Sequence, residues 1–239
     1  MIRDFRRKYD GVDRQDVEND TLYCMSLMRH FGAPTRLLDW TYSPSVAAYF
    51  ALEKWHPISK PVVVVWCLSD KWCEESFKQA YPDLKEKLDK YQATHWRNDS
   101  NPYIRKKKNI LFEELFMNDV YNYVFPVNPF HLHERLNVQQ GVFLCPGSIS
   151  IPLVEILMHL NESDIKTSMR QPIRKLLCDI QDTNQWLDAL DELHQSNISR
   201  ESLFPGYDGF AYSLQYRLRY YDQLIESWKK SRRRHRLTK

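Results

Sequence analysis

The chain opens on a polar, charged stretch, residues 1–16, with no apolar period. Beyond it the pattern changes. Leu22, Met25, Leu27, Met28 and Phe31 recur at helical spacing and predict a helix over Asp20–Phe31. Asp20 or Thr21 caps its start, Gly32 ends it and Pro34 bars its continuation. Thr35–Trp40, a short run bounded by breakers, reads as a strand. Ser43-Pro44 is a strong helix start, with Ser as N-cap and Pro at the first helical position. Val46, Ala47, Tyr49 and Phe50 give that helix its apolar stripe, and Pro57 and Pro61 close the segment. Val62–Leu68 is continuous and β-branched, the pattern of a strand buried on both faces.

Further on, Glu74–Tyr91 is helical in composition but interrupted by Pro82. Arg97–Lys108 reads as a basic loop, Ile110–Tyr123 as a helix and Val124–Val127 as a strand. His131–Gln139 suits a helical turn, and Gly141–Cys145 a strand closed by Pro146-Gly147. Ser148–Pro152 and Ile173–Ile180 are further strand candidates, the second ambiguous with helix. Thr183–His194 carries Trp186, Leu187, Leu190 and Leu193 at amphipathic spacing. Leu203–Gly206 is a turn, and Tyr207–Trp228 a long final helix weakened at Gly209. The class is α+β, with a small mixed or split sheet flanked by helices. No internal repeat and no Gly/Ser-rich linker appears. The simplest division is a lead-in over 1–19, one domain over 20–228, and a basic, disordered tail over 229–239.

Composition narrows the class. Apolar residues at 43% and charged residues at 27% of 239 are ordinary for a folded chain. The net charge of +3 is more than accounted for by the tail, since Lys229–Arg236 alone carries six Lys or Arg and no acid, and the rest of the chain is slightly acidic. The body therefore gives no case for nucleic-acid binding, which is left to the tail. The five Cys are scattered without metal spacing and read as reduced thiols. No leader is visible, and no apolar run approaches the ~18 residues of a membrane span. The expectation is a cytoplasmic protein without a metal or a membrane partner.

The candidate chemistry lies in His30–Ala51. Thr41 and Ser43 stand at the mouth of a helix, where free N–H groups suit an anion such as a pyrophosphate. Arg36 can add a bidentate phosphate contact. On structural grounds alone, Asp39 is a turn residue, Ser43 an N-cap, and Arg36 the partner of an acid such as Asp39 or Glu53. A second constellation, Glu134–Phe143, places Gln139 and Gln140 beside Gly141. Gln orients a hydroxyl but is no general base. His131 and His133, two apart, lack further ligands.

The run His30-Phe-Gly-Ala-Pro-Thr-Arg-Leu-Leu-Asp-Trp-Thr-Tyr-Ser-Pro-Ser-Val-Ala-Ala-Tyr-Phe-Ala51 resembles the signature of the FRG domain family. Arg135–Phe143 and Leu203–Gly209 resemble later elements of that family in the expected order, so the resemblance spans about residues 20–215. The Phe-Arg-Gly string that names the family is not found. The nearest string, Asp4-Phe-Arg-Arg7, is too close to the next motif, which implies a strand missing or diverged. Motif order also resembles that of ADP-ribosyltransferases: Thr41-Tyr-Ser43 with Ala47–Ala51 looks like their second element, Gln139 or else Gln140 like the third, and the missing Phe-Arg-Gly would be the first. The resemblance implies an ADP-ribosyltransferase-like fold and an enzyme that uses NAD, as an ADP-ribosyltransferase or NAD glycohydrolase. Its cofactor site would comprise Arg36, Asp39, Thr41, Ser43, Tyr49 and Gln139, with Gln139 and Arg36 as catalytic groups. The alternative is a non-catalytic regulatory module that binds a nucleotide or a protein partner.

Overall fold

In the computed structural model, residues 1–55, 62–95, 102–118, 121–129, 132–162, 172–214, 221 and 225 are described. They divide into two units. Unit 1 comprises Met1–Trp40, Leu68–Leu132 and Val142–Arg174, and unit 2 comprises Thr41–Cys67, His133–Gly141 and Lys175–Lys239.

Unit 1 begins with helices α1 (Ile2–Lys8), α2 (Arg14–Asn19) and α3 (Thr21–His30). The segment that the pattern read as lead-in is therefore helical. Its sparse apolar residues explain why: Ile2, Phe5, Tyr9 and Val17 all pack against Tyr23, Cys24, Leu27 and Met28 of α3. Asp20 caps α3 by accepting from the Tyr23 N–H at 2.9 Å. At the other end Gly32, at φ +80, and Ala33 donate to the carbonyls of Arg29 and Met28. This is the glycine-dependent helix stop that the sequence implied.

Strand β1 (Leu38–Thr41) follows, then in unit 2 helix α4 (Pro44–Leu52) and strand β2 (Val62–Leu68). Unit 1 resumes with α5 (Asp70–Ala80), a single 3-10 turn at Pro82–Leu84, α6 (Lys85–His95), α7 (Pro102–Phe116) and β3 (Val124–Val127). The basic stretch expected as a loop is thus, from Pro102 onward, the opening of α7. Its exposed Lys106 and Lys107 are interspersed with Ile104, Leu111, Phe112 and Leu115, of which all but Ile104 are buried, and Lys108 is itself buried. Sheet order is β1-β4-β3, where β4 is Gly141–Pro146. β3 runs antiparallel to β4, with Phe125 opposite Cys145 and Val127 opposite Phe143. Pro126 is tolerated because β3 lies at an edge.

Helices α5 and α9 (Leu153–Glu162) cover this sheet through Trp72, Cys73, Ile156, Leu157 and Leu160. Ser148–Pro152 is not a strand but the bend leading into α9. Aromatic residues, 13% of the chain, cluster in this unit. Phe77 meets Tyr123 edge-on at 4.4 Å between ring centres, and Phe112, Phe116, Tyr81 and Tyr91 extend the cluster. Cys73 and Cys145 are buried, and burial pushes both thiols up to about 12. They act as small apolar fillers.

Unit 2 holds α4, β2, α8 (Glu134–Val138), β5 (Ile173–Asp179), α10 (Thr183–Gln195) and α11 (Arg200–Leu203). Beyond these, residues 207–214, 221 and 225 are helical. The expected tail and His131 lie outside the described residues. Among the described residues, strand β2 pairs only with β5. It is consequently not buried on both faces: Val63 is buried, whereas Val62 and Trp66 are exposed. The core of this unit is Val46, Tyr49 and Leu52 of α4 against Trp186, Leu187 and Leu190 of α10, with Val63 and Leu203. The Trp186 indole N–H donates to the Leu52 carbonyl at 3.0 Å. The class is the expected α+β one, with the sheet split in two.

Candidate functional site

Three short segments meet in unit 2. The first is the start of α4. Ser43 is its N-cap, accepting from the Val46 N–H at 3.4 Å, and Pro44 occupies the first turn. The Thr41 hydroxyl accepts from the Ser43 N–H at 2.9 Å and donates to the Gln139 carbonyl at 2.8 Å. Together with the Tyr42 N–H on the Gln140 carbonyl at 3.0 Å, these bonds tie the α4 entry to the end of α8.

The second segment is α8 and its exit. His133 caps α8, its Nδ1 accepting from the Leu136 N–H at 3.2 Å. Gln140 adopts φ +47, which re-aims the chain into β4. The Gln139 side-chain amide donates to the Leu203 carbonyl at 2.8 Å. That carbonyl belongs to the third segment, Leu203–Gly209. Phe204 meets Phe50 of α4 edge-on at 5.9 Å and lies 4.3 Å from the Arg135 guanidinium of α8. Gly209 closes the segment, for a Cβ there would stand 1.8 Å from the Phe204 carbonyl oxygen.

Sequence reasoning missed the charge at the centre of this unit. Arg200 pairs with Glu53 at 2.9 Å, with side chains only 20% and 8% exposed. The Tyr49 hydroxyl lies 3.3 Å from the same carboxylate oxygen. The Arg200 guanidinium also stacks on Phe204 at 3.5 Å and lies 4.4 Å from the ring centre of Tyr212. Nothing in residue spacing links Glu53 to a partner 147 positions later. The Leu-Phe-Pro string beside Arg200 was the only available signal. Tyr49 and Arg200 line a cavity of about 360 Å³ with Leu190, His194, Ile198 and Ser213. That volume is at the lower end of the ~300–1,000 Å³ typical of small-molecule sites.

Arg36 and Asp39 belong to unit 1 and do not pair with each other. Strand β1 begins only at Leu38, so Arg36 precedes it. The Arg36 Nη1 donates to the carbonyls of Phe116 and Pro146. Asp39 accepts from Arg29 Nε at 2.9 Å and Nη2 at 2.7 Å. Glu53, the other acid considered for Arg36, is held by Arg200. Of the six sequence candidates, Thr41, Ser43, Tyr49 and Gln139 fall in unit 2. Among the described residues, no group of three His, Cys, Asp or Glu side chains is placed to hold a metal ion.

The segment that supplies α1 to α4 decides the family resemblance. Residues 1–59 match the FRG domain. The FRG match covers His30–Ala51 and also Asp4-Phe-Arg-Arg7, while Arg135–Phe143 and Leu203–Gly209 lie beyond it. Neither a curated protein nor a solved structure matches the chain.

Proposed function

We propose that this FRG domain chain uses NAD, with the site in unit 2 built from Thr41, Ser43, Tyr49 and Gln139. The supporting observation is convergence. The α4 entry and the α8 exit carry strings that resemble the second and third elements of ADP-ribosyltransferases, Leu203–Gly209 resembles a later element of the FRG pattern, and the three are joined by the Thr41–Gln139 and Gln139–Leu203 hydrogen bonds. In this reading the Ser43 hydroxyl and the start of α4 receive phosphate or ribose oxygens. Gln139 still has its amide oxygen to accept from a ribose hydroxyl. Tyr49 forms the wall against the nicotinamide ring. Arg36 and Asp39 are engaged within unit 1 and serve its architecture.

The reaction breaks the bond between the nicotinamide nitrogen and ribose C1′. Nicotinamide leaves with the electron pair, and water or an acceptor nucleophile bonds C1′ and gives up its proton. Gln139 orients in this scheme and takes no proton.

One observation favours a second reading, a non-catalytic nucleotide-binding module. The Thr41 hydroxyl and the Gln139 amide N–H are both spent on backbone carbonyls, and no carboxylate stands in place of Gln139. Release of nicotinamide from NAD separates the two readings. Binding without release supports the module, and release supports the enzyme.

A further inference from the structure

Helices α1 and α2 of unit 1 border a second feature, a shallow and open one, that the NAD reading does not use. Arg3 and Arg7 stand one turn apart on α1, and Arg14 opens α2. With Arg6, Ile2 and Glu18 they line a hollow of about 480 Å³. Four arginines against one glutamate leave its wall at +3.

The four arginines differ in what they already hold. Arg6 is fixed: its Nε donates to the Val17 carbonyl at 2.9 Å and its Nη2 to the Thr21 hydroxyl at 3.0 Å. Arg14 pairs with Glu18 at 2.9 Å. Arg3 and Arg7 are exposed and make no hydrogen bond or ion pair with any described residue. Like charges at this spacing on one helix repel and destabilise it. The fold therefore carries a concentration of guanidinium groups that its own contacts do not repay.

We propose that this hollow binds a polyphosphate chain. Guanidinium forks match phosphate oxygens in pairs, and Arg is the side chain suited to such contacts. The hollow is larger than one phosphate requires, and its charge of +3 calls for a ligand with several anionic groups. No aromatic ring lines it among the described residues, so recognition rests on the phosphates and not on a base. The site is independent of the NAD reading.

The test is calorimetric titration of the full chain with inorganic tripolyphosphate and, separately, with ATP. The two probes bind with equal affinity, since the base contributes nothing. The Arg3→Ala/Arg7→Ala variant weakens both by about tenfold or more. Because both side chains are exposed, make no bond with a described residue and repel each other, this variant melts at or slightly above the wild-type temperature. Lys106→Ala/Lys107→Ala, which removes the same charge from the exposed face of α7, leaves binding unchanged. The proposal is overturned if tripolyphosphate does not bind, if ATP binds and tripolyphosphate does not, or if the arginine variant binds as wild type does. An equal loss in the lysine variant also overturns it, because general charge would then be responsible.

Discussion

The side-chain amide of Gln139 donates to the main-chain carbonyl of Leu203 at 2.8 Å, joining two segments 64 residues apart. A ligand-binding candidate is thereby also a structural tie. Gln139→Ala leaves the Leu203 carbonyl without this donor and lowers unfolding free energy by about 1 kcal/mol in urea denaturation. Gln139→Glu costs more, because a carboxylate cannot donate to a carbonyl.

Gly209 is required by close approach. A Cβ 1.8 Å from the Phe204 carbonyl oxygen meets backbone, which cannot swing aside as a side chain can. Gly209→Ala should destabilise by about 1–3 kcal/mol. A thermal melt of the variant checks this, and an unchanged Tm would remove the account of this glycine.

The Glu53–Arg200 pair is mostly withdrawn from water. Removing one partner strands the other charge, at a cost of about 3–5 kcal/mol. Glu53→Ala and Arg200→Ala should therefore each be severely destabilised. The double variant should be less destabilised than the sum of the two, a coupling that denaturation of all four proteins would measure.

The α1–α3 corner makes stability fall at alkaline pH. Tyr9 and Tyr23 both donate to the Asp13 carboxylate at 2.5 Å. Burial and then the hydrogen bond to Asp13 raise the Tyr9 phenol to about 12, and the same causes raise Tyr23 further. A phenol raised in the folded state holds its proton more tightly there than in the unfolded chain. Its stabilisation is complete below pH ~10 and is lost as pH rises towards 12. Tyr9→Phe removes part of this dependence, as denaturation midpoints across that range would show.

The local punctuation of the chain was legible in the sequence. Asp20, Gly32, Ser43 and Pro44 act at short range, and each sets the helix end that its chemistry implies. What escaped depended on distant partners. The lead-in became helical because Ile2, Phe5 and Val17 find α3, and α9 was passed over for a strand at Ser148–Pro152. Val62–Leu68 carries the pattern of an interior strand yet has a single neighbour among the described residues. At the candidate site, the motif strings marked the segments that meet in unit 2. They did not show that Arg36 and Asp39 have partners in unit 1, nor that Glu53 awaits Arg200.

NAD titrated into the full chain by calorimetry, with nicotinamide release followed in the same samples, tests the central claim most directly. The account predicts binding that Gln139→Ala and Ser43→Ala weaken, with nicotinamide released by the wild-type chain. Arg36→Ala should lower stability while leaving NAD affinity in the folded fraction unchanged. No binding by a chain that melts cooperatively, or equal binding by the Gln139 and Ser43 variants, would contradict it.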